Sequence, residues 1–305
     1  MPPLTNSTAT SADIHTRRGV AYGAGAYILW GLVPAYWPLL VPAGAAEILA
    51  HRIAWSLVLM AIVTTALRGW RPLRTLSRKG WLMVTAASVL VAANWGTYIY
   101  AVNSQHVVEA ALGYFINPLV SVVLGVVVLR ERLRKTQTVA IGIAVLAVVV
   151  LTVDYGRLPW ISLVVACSFG LYGLIKKTVP LDSATSLTAE SMILGPIAIA
   201  YLFTLSANTF TGHGVGHALL LASTGVVTAV PLLLFGAGAR RVPLATMGML
   251  QYLAPILQFA WGVFVMHEPM PASRWIGFGL VWLALLVFTL DAVRNSRRRL
   301  LAPVE

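Results

Sequence analysis

Two helical segments of the sequence carry polar, small and proline residues at matching positions. Tyr114 and Pro118 lie in the first segment, and Gln251 and Pro255 lie 137 positions later in the second. In each segment such residues recur at a spacing of three, four, three and four, which keeps them on one face of an α-helix. The two series are Ala111, Tyr114, Pro118, Ser121 and Gly125, and Gly248, Gln251, Pro255, Gln258 and Gly262. Polar side chains on one face of an apolar helix can bind a small solute through hydrogen bonds.

The two prolines also change the hydrogen bonding of their helices. Proline has no N–H, so Pro118 and Pro255 leave the carbonyl groups of Tyr114 and Gln251 without a helical donor. Within hydrocarbon an unsatisfied carbonyl is tolerated only where protein or a wet cavity supplies a partner. We therefore predict that both helices are broken at proline hinges and line a cavity. The alternative is that proline and small residues only permit tight helix packing and a passive kink.

The composition places these segments in a membrane. Of 305 residues 58% are hydrophobic and only 10% are charged, against about 25% charged in an ordinary soluble domain. The apolar residues form blocks of about 20, the length that crosses a bilayer. This pattern excludes a conventional water-soluble enzyme and predicts an all-α polytopic membrane protein. Its ten predicted transmembrane helices lie near 19–39, 46–67, 80–101, 107–129, 137–154, 158–175, 184–205, 217–239, 244–267 and 274–293.

The basic residues predict the orientation of these helices. With the N-terminus inside, 19 of the 22 Lys and Arg residues fall in cytoplasmic segments, Arg157 and Arg274 fall in outer loops, and Arg52 lies within the second block. Cytoplasmic loops collect Lys and Arg, so both termini are predicted to be cytoplasmic. The net charge of +12 is explained by this topology, because no aromatic-lined basic groove indicates a nucleic-acid partner.

The two proline segments belong to a longer sequence repeat. The same shift of 137 positions places Gly125 on Gly262 and Ser88 on Gly225. Because each half holds five helices, the second half must enter the membrane from the opposite face, as in the inverted repeats of many transporters. The predicted repeats are 19–154 and 158–293, between a disordered cytoplasmic tail at 1–18 and a basic cytoplasmic tail at 294–305.

Further residues within the predicted spans extend the candidate substrate site. Trp30 and Trp95 lie near mid-span, where a ligand-facing role competes with simple packing. Asn94 and Tyr98 supply hydrogen-bonding groups that could equally join helices to one another. The complete set of candidate substrate-binding residues is Trp30, Asn94, Trp95, Tyr98, Tyr114, Asn117, Gln251, Tyr252 and Gln258.

Charged residues near the outer ends of two blocks predict a gate. Glu47, His51 and Arg52 lie near the outer end of the second block, and Glu109 lies near that of the fourth. Charges within spans usually face an interior cavity and pair with one another, so Arg52 is predicted to pair with Glu109 or Glu47. Interfacial snorkelling is the alternative. Glu268, just past the ninth block, is interpreted as an ion-pairing or interfacial residue rather than a loop gate.

One acidic residue is a candidate for coupling transport to protons. Glu190 lies about one turn inside the seventh block and has no cationic neighbour in the sequence. A carboxylate in this position could bind a proton, or it could interact with the positive end of the helix dipole.

Motifs for catalysis and metal binding are missing from the sequence. It contains no phosphate-binding Gly-x4-Gly-Lys-[Ser/Thr] loop, no His-Glu-x2-His pair and no Gly-x-Ser-x-Gly turn. His213 and His217 lack further ligands, which makes a solvated loop the better interpretation. Cys167 is the only cysteine, so a cysteine cluster is excluded. We expect no enzyme activity, no metal and no cofactor.

Five longer strings of the sequence are specific enough to compare with known families. They are Glu47-Ile-Leu-Ala-His-Arg52, Asn94-Trp-Gly-Thr-Tyr-Ile-Tyr-Ala-Val-Asn103, Glu109-Ala-Ala-Leu-Gly-Tyr-Phe-Ile-Asn-Pro118, Ser168-Phe-Gly-Leu-Tyr-Gly173 and Gln251-Tyr-Leu-Ala-Pro255. These strings resemble the RarD-type permeases of the EamA family, in the drug/metabolite transporter superfamily. The resemblance runs from about residue 18 to residue 294 and implies ten helices in inverted five-helix repeats, cytoplasmic termini, a central cavity and a bacterial inner (plasma) membrane location. It also implies a connection with chloramphenicol sensitivity or resistance, without a settled substrate.

The sequence thus predicts a secondary active transporter of a small amphipathic metabolite or drug, working by alternating access. Its partners would be the small-molecule substrate and the lipid bilayer, with a proton as the candidate coupling ion and a homodimer left open. A membrane receptor or scaffold is the alternative, motivated by Gly19, Gly23 and Gly31, which would let helices approach closely. A channel is a weaker alternative, because the sequence shows no ring of like charges and no filter-type repeat.

Overall fold

The protein is helical throughout the part of the chain that the structure describes. The structure is a computed structural model, and it describes residues 11–129, 135–176, 178–206, 208–239, 241–242, 247 and 250–301. No β-strand occurs in these ranges. This agrees with the all-α prediction.

Helices of eight residues or more are numbered in chain order. They are α1 Ser11–Tyr36, α2 Ala45–Ala66, α3 Arg78–Asn103, α4 Val107–Leu129, α5 Lys135–Tyr155, α6 Trp160–Lys176, α7 Ser183–Thr204, α8 Gly214–Ala239, α9 Leu253–Ala260 and α10 Ala272–Leu301. A 3-10 turn at Trp37–Leu40 follows α1, and a π-helical turn at Trp261–Val265 extends α9. Single helical turns lie at Arg71–Arg74 and Thr209–Gly212.

Seven of the described helices are long and apolar enough to cross a membrane, namely α2, α3, α4, α5, α7, α8 and α10. Two shorter apolar helices lie at Trp160–Lys176 and Leu253–Val265, and α1 is 26 residues long but is not among the seven. Large apolar side chains on α5, such as Val145 and Val153, are exposed, as suits a helix facing lipid. The chain is therefore a multi-pass membrane protein, while the predicted number of ten spans is not confirmed.

The ends of the described helices differ from the predicted segments in places. Helix α1 begins at Ser11, within the segment predicted to be a tail, and α10 continues to Leu301. Residues 1–10 and 302–305 of the predicted tails lie outside the described residues, as does Gly248 in the second proline series.

The helices form two compact units, each assembled from separate parts of the chain. The described residues of the first unit fall within Met1–Tyr36, Ala50–Thr75 and Leu181–Leu257, and those of the second within Trp37–Leu49, Leu76–Pro180 and Gln258–Glu305. Each unit thus draws on both predicted halves of the sequence. Because a sequence repeat does not require each half to form its own unit, the halves remain a prediction.

In the first unit, α1 packs along α8, and α7 also contacts α8. The α1–α8 contact is close because glycines face each other: a Cβ on Gly238 would lie 2.9 Å from the nitrogen of Gly23 and 3.0 Å from the carbonyl oxygen of Gly19. A buried hydrogen bond of 2.7 Å between the hydroxyl groups of Thr64 and Thr188 joins α2 to α7. Small residues and hydroxyl pairs are the usual means of joining helices in membranes.

In the second unit, α4 packs against α6 and also contacts α3 and α10, while α5 packs along α10. The core between α4, α9 and α10 contains aromatic rings, with Phe259 4.8 Å from Phe278 and 5.5 Å from Trp282 between ring centroids. These edge-on and tilted arrangements are favoured for aromatic pairs. Helix α4 carries more of the predicted site residues than any other element of this unit.

The two proline segments differ in local structure. Helix α4 runs without interruption through Pro118, so the predicted break is not a gap in the helix. Pro255 is the third residue of α9, a first-turn position where the missing N–H removes no helical bond. Gln251 and Tyr252 form a turn just before that helix. Pro118 therefore removes the helical donor of the Tyr114 carbonyl, whereas Pro255 lies where no bond within its helix is lost.

The close contact between α4 and α6 predicts a steric effect at Gly113. A Cβ at this position would lie 2.7 Å from the carbonyl oxygen of Ser162 and 2.9 Å from the Cβ of Val165. We expect Gly113→Ala to lower the free energy of unfolding by about 1–3 kcal/mol, the usual effect of overpacking. Thermal unfolding in detergent, followed by circular dichroism, measures the change.

Gly173→Ala is the matched control, because Gly173 lies on α6 with no atom within 4 Å of its Cβ position. Alanine favours the helix over glycine, so this variant should be as stable as the unsubstituted protein or more stable. Equal loss of stability in both variants would contradict the packing described for α4 and α6.

Candidate functional site

Polar side chains of α3, α4 and α6 lie together in a group that we call the Asn94 cluster. Asn94, Tyr114 and Ser168 are joined by hydrogen bonds, and Tyr98 belongs to the group through its ring contact with Tyr114. Asn94 is 1% exposed. Its Nδ2 donates to the carbonyl oxygen of Val165 at 3.0 Å and to Ser168 Oγ at 3.2 Å. Its Oδ1 accepts from the hydroxyl group of Tyr114 at 3.0 Å. The predicted site residues Asn94 and Tyr114 are therefore in direct contact.

Aromatic rings surround the polar atoms of the Asn94 cluster. The ring of Tyr114 lies 5.7 Å from that of Tyr98 and 6.0 Å from that of Phe169, both in edge-to-face geometry. Phe169 in turn lies 6.0 Å from Tyr172. A surface that combines aromatic rings with a few fixed polar groups is typical of small-molecule sites.

Asn117 adds an unsatisfied polar atom close to this cluster. It is 8% exposed, and its Oδ1 has no hydrogen-bond partner among the described residues. A Cβ on Gly170 of α6 would lie 3.5 Å from this oxygen. Leaving a buried acceptor unpaired costs about 1–3 kcal/mol, so such an atom is suited to accept a hydrogen bond from a bound molecule.

Two aromatic groups lie in the first unit. Trp30 contacts Tyr27 and Phe235, with ring centroids 5.4 Å and 5.9 Å away. His51 stacks on Phe210 at 5.1 Å, and Trp55 lies 6.0 Å from the same phenyl ring. Trp30 and His51 are both candidates from the sequence.

The remaining sequence candidates are placed but not tested by the structure. Glu47, Arg52, Pro255 and Gln258 are buried, whereas Trp95, Gln251 and Tyr252 are half-buried. Glu190 is buried in α7 and accepts a hydrogen bond of 2.9 Å from the hydroxyl group of Ser186, one turn earlier. Their roles in binding, gating or coupling stay predictions.

A second polar group lies at one end of the second unit, where three carboxylates meet the starts of three helices. Glu109, in the first turn of α4, is 1% exposed and forms a two-point ion pair with Arg157 at 2.8 and 3.3 Å. Its Oε1 also accepts from the N–H of Ile161, 3.2 Å away at the start of α6. Glu109 therefore joins α4 to α6 at this end.

The other two carboxylates make equivalent connections. Asp154, near the end of α5, accepts hydrogen bonds from Ser273 Oγ and, at 2.9 Å, from Arg274 Nε in the first turn of α10. Glu268 accepts from the N–H groups of Val107 and Val108 at the start of α4, at 2.6 and 3.0 Å. The bonds to Glu268 satisfy backbone N–H groups that a helix start leaves without helical partners. The bonds to Asp154 come from side chains and join α5 to α10.

A cavity of about 260 Å³ lies between these connections, and we call it the carboxylate cavity. The ring of Tyr155 lies between its two arginines, with Arg274 Cζ 4.3 Å and Arg157 Cζ 5.6 Å from the ring centroid. Cation–π contacts of this kind add to the ion pairs. Its lining residues are Gln105, His106, Glu109, Tyr155, Arg157, Glu268, Pro269 and Arg274.

Comparisons with known proteins decide the family. The family model described as "EamA-like transporter family" matches residues 17–153. "Protein RarD" of Streptomyces exfoliatus is 56% identical over 293 residues, covering 94% of this chain and 93% of its own. An "uncharacterized transporter YojE" of Bacillus subtilis is 46% identical over 294 residues, covering 92% and 97%. This chain belongs to the EamA-like transporter family.

Membership of the EamA family identifies the chain as a membrane transporter rather than an enzyme, and it confirms the resemblance read from the sequence. A solved crystal structure has a similar fold, with a TM-score of 0.58 over 93% of this chain and 99% of its own. At 17% identity that likeness shows the fold alone.

Within this EamA protein, sequence reasoning misses part of the group at the helix starts. The sequence predicts that Arg52 pairs with Glu109 or Glu47, and the structure shows Glu109 paired with Arg157. The pairing of Arg52 with Glu47 stays a prediction. The sequence predicts an interfacial or ion-pairing role for Glu268 and gives no sign of its bonds to α4. The sequence does hold one indication of these ion pairs. Arg157 and Arg274 are the two basic residues assigned to outer loops, a position that basic residues usually avoid.

The ion pair between Glu109 and Arg157 predicts a measurable coupling energy. Removing one partner of a buried pair leaves an uncompensated charge and costs about 3–5 kcal/mol. Because Arg157 is 38% exposed, we expect Arg157→Met to lower the free energy of unfolding by about 2–3 kcal/mol, less than for a fully buried pair. Glu109→Gln alone should also destabilise, and the double variant should cost clearly less than the sum. Chemical denaturation in detergent gives the free energy of unfolding of the unsubstituted protein, the two single variants and the double variant. If the losses of the single variants simply add up in the double variant, the two side chains do not interact.

Proposed function

We propose that this EamA-family protein is a secondary active transporter of a small amphipathic metabolite or drug, working by alternating access. The observation that carries the proposal is the unpaired, buried Oδ1 of Asn117 beside the Asn94 cluster. Natural proteins rarely leave such an atom unsatisfied, and functional sites are the common exception. The family membership supports transport itself, and the cluster supports the binding of a solute.

The chemistry of the cluster favours a substrate with both polar and aromatic or apolar parts. Asn117 offers an acceptor, the hydroxyl groups of Tyr98 and Tyr114 offer donors and acceptors, and the ring of Phe169 offers an apolar face. Chloramphenicol, with an aromatic ring, hydroxyl groups and an amide, has this mixed character, and the family resemblance supports including it. It is the first drug to test rather than an assigned substrate.

The architecture proposed for transport is ten spans in two inverted repeats, with both termini in the cytoplasm of a bacterial cell. The matched series around Pro118 and Pro255 and the distribution of basic residues support it. Because α4 is continuous at Pro118, the proline would act as a bending point in an intact helix. Motion there would change the position of Asn117 and Tyr114 on the same helix.

The receptor or scaffold alternative gains no support from the glycines that motivated it. The Cβ positions of Gly19, Gly23 and Gly31 lie 2.6 to 2.8 Å from side-chain atoms of the chain itself, in Arg241, Met247 and Leu257. These glycines therefore serve close packing within the first unit and leave no room for a partner helix at those points.

Transport can be tested with purified protein in liposomes. The panel comprises amino acids, nucleosides, quaternary amines and chloramphenicol, each measured for saturable flux. For the solute that is carried, we expect Asn117→Ala and Tyr114→Phe to raise KM about two- to tenfold, the equivalent of one lost hydrogen bond. Thr85→Ala is the control, because Thr85 is exposed and donates to its own helix.

The outcomes of this screen separate the alternatives. An unchanged KM in Asn117→Ala and Tyr114→Phe would move the binding site away from α4. The absence of flux for every solute, with robust capture of a partner protein, would favour the receptor or scaffold alternative.

The proposed orientation has its own test. A fluorescent protein fused to the C-terminus should be bright in bacterial cells, because it folds in the cytoplasm, and a periplasmic reporter at the same position should be inactive. A fusion in the loop at Gly156, between the predicted fifth and sixth spans, should give the opposite result. The opposite result at both positions would show that the protein has the reverse orientation in the membrane.

A further inference from the structure

Glu268 is a buried carboxylate that has no part in the Asn94 cluster or the predicted gate. It lies just after the π-helical turn Trp261–Val265 and is 9% exposed. Each of its oxygens accepts one backbone N–H from the start of α4, Oε1 from Val107 and Oε2 from Val108. Glu268 thus connects the chain after α9 to the helix that carries Tyr114 and Asn117.

Charged and titratable groups face Glu268 from each neighbouring element. Within the carboxylate cavity α4 contributes Glu109, the end of α5 contributes Tyr155, and α10 contributes Arg274. The remaining groups are His106 before α4, Arg157 between α5 and α6, Asp154 behind Arg274, and His267 on its own segment.

The groups around Glu268 favour its protonated form near neutral pH. Burial raises the pKa of Glu268 from 4.5 to about 7, with the charge of Glu109 acting in the same direction, although the bonds from Val107 and Val108 and the charge of Arg274 oppose it. The carboxylate cavity, at about 260 Å³, has room for several water molecules that could carry a proton.

A second carboxylate with the same structural task behaves differently. Asp182 accepts bonds from the N–H groups of Ala184 and Thr185 at the start of α7, at 3.0 and 3.1 Å. Burial works to raise the pKa of Asp182, but these bonds and the hydroxyl group of Thr185 outweigh it and hold the pKa below its usual value. Capping a helix therefore does not by itself make a carboxylate titrate near neutral pH.

We propose that Glu268 binds the coupling proton of this transporter and that protonation loosens its hold on the first turn of α4. The proposal deepens the proposed function and rests on it. An ionised carboxylate accepts two charge-assisted bonds and interacts with the positive end of the helix dipole. The protonated form loses that charge and one of its two strong acceptors. Tyr114 and Asn117 lie about two and three turns further along the same helix, within reach of a shift of its start.

The first experiment measures proton binding without transport. Hydrogen–deuterium exchange of the first turn of α4 is followed from pH 5.5 to 8.5 in the unsubstituted protein and in Glu268→Gln, compared at equal pH to cancel the intrinsic exchange rate. Above about pH 7 the ionised Glu268 should protect the first turn more than glutamine does, and below it the two proteins should converge. Asp182→Asn is the control and should leave this crossover in place.

Infrared titration of protonated carboxyl groups gives a second readout of the same event. A carboxyl signal with a midpoint near pH 7 should be present in the unsubstituted protein and absent in Glu268→Gln. Glu109→Gln should move the midpoint to lower pH, because it removes a negative charge, and Arg274→Gln should move it to higher pH, because it removes a positive one. Failure of Glu268→Gln to remove a signal near neutral pH would overturn the proposal even if the variant folds less well.

The third experiment asks whether this proton drives transport. For a solute carried by the unsubstituted protein, flux is measured with an imposed pH gradient and as solute exchange without one. Glu268→Gln should lose the stimulation by the gradient and keep exchange, while Asp182→Asn, at the other carboxylate that caps a helix, should keep both. Loss of stimulation in Glu190→Gln alone, or flux that ignores the gradient in the unsubstituted protein, would refute Glu268 as the coupling site and leave the transport function standing.

Failure of the proposed function itself gives a different result. If the unsubstituted protein carries no solute at all, transport and coupling both fail, whatever the exchange and infrared titrations show about proton binding. The two proposals therefore cannot be confused by these measurements.

Discussion

The start of α4 is the point on which the second unit depends. The first turn of a helix leaves N–H groups without helical partners, and burying them unsatisfied is costly. Here the N–H groups of Val107 and Val108 donate to Glu268, a residue 160 positions away in the chain. The carboxylate of Glu109, in the same first turn, supplies the same kind of acceptor to the start of α6. The requirement to satisfy backbone groups thus fixes how these elements meet.

Helix α4 is held in the second unit at three places along its length. Helix α4 is held at its start by Glu268, along its length by the close approach of Gly113 to α6, and through Tyr114 by Asn94 of α3. A change in the bonds between Glu268 and α4 therefore acts on a helix that also contacts the Asn94 cluster. Proton binding and solute binding would be linked through one continuous element, a physical basis for coupling that does not need the two sites to touch.

The chemistry of the two polar groups differs in a way that suits two ligands. The Asn94 cluster is neutral, with amide and hydroxyl groups set among aromatic rings, which matches an amphipathic solute. The carboxylate cavity contains charged groups paired with one another, which matches an ion better than a drug-sized molecule. Membership of the EamA family gives the general function, transport, and the two proposals assign solute binding to the Asn94 cluster and proton binding to the carboxylate cavity.

The sequence by itself determined the class of the protein and the positions of most of its helices. Hydropathy and charge placed the fourth block at 107–129, where α4 is found, because apolar length and flanking polar residues are local properties of the chain. The spacing of Tyr114 and Pro118 is equally local, and it was enough to put both residues on one face of that helix. The sequence did not predict that a helix begins at Leu253, two residues before Pro255, since where a helix starts depends on how the preceding turn is held.

Only the tertiary structure decided which side chains meet. The sequence offered Glu109 or Glu47 as the partner of Arg52, and the structure pairs Glu109 with Arg157. The sequence named Asn94 and Tyr114 separately, and the structure joins them by a hydrogen bond. The bonds of Glu268 to the start of α4 are likewise visible only in the structure. Periodicity and hydropathy describe one helix at a time, whereas the partner of a buried carboxylate is set by the packing of helices that are distant in the chain.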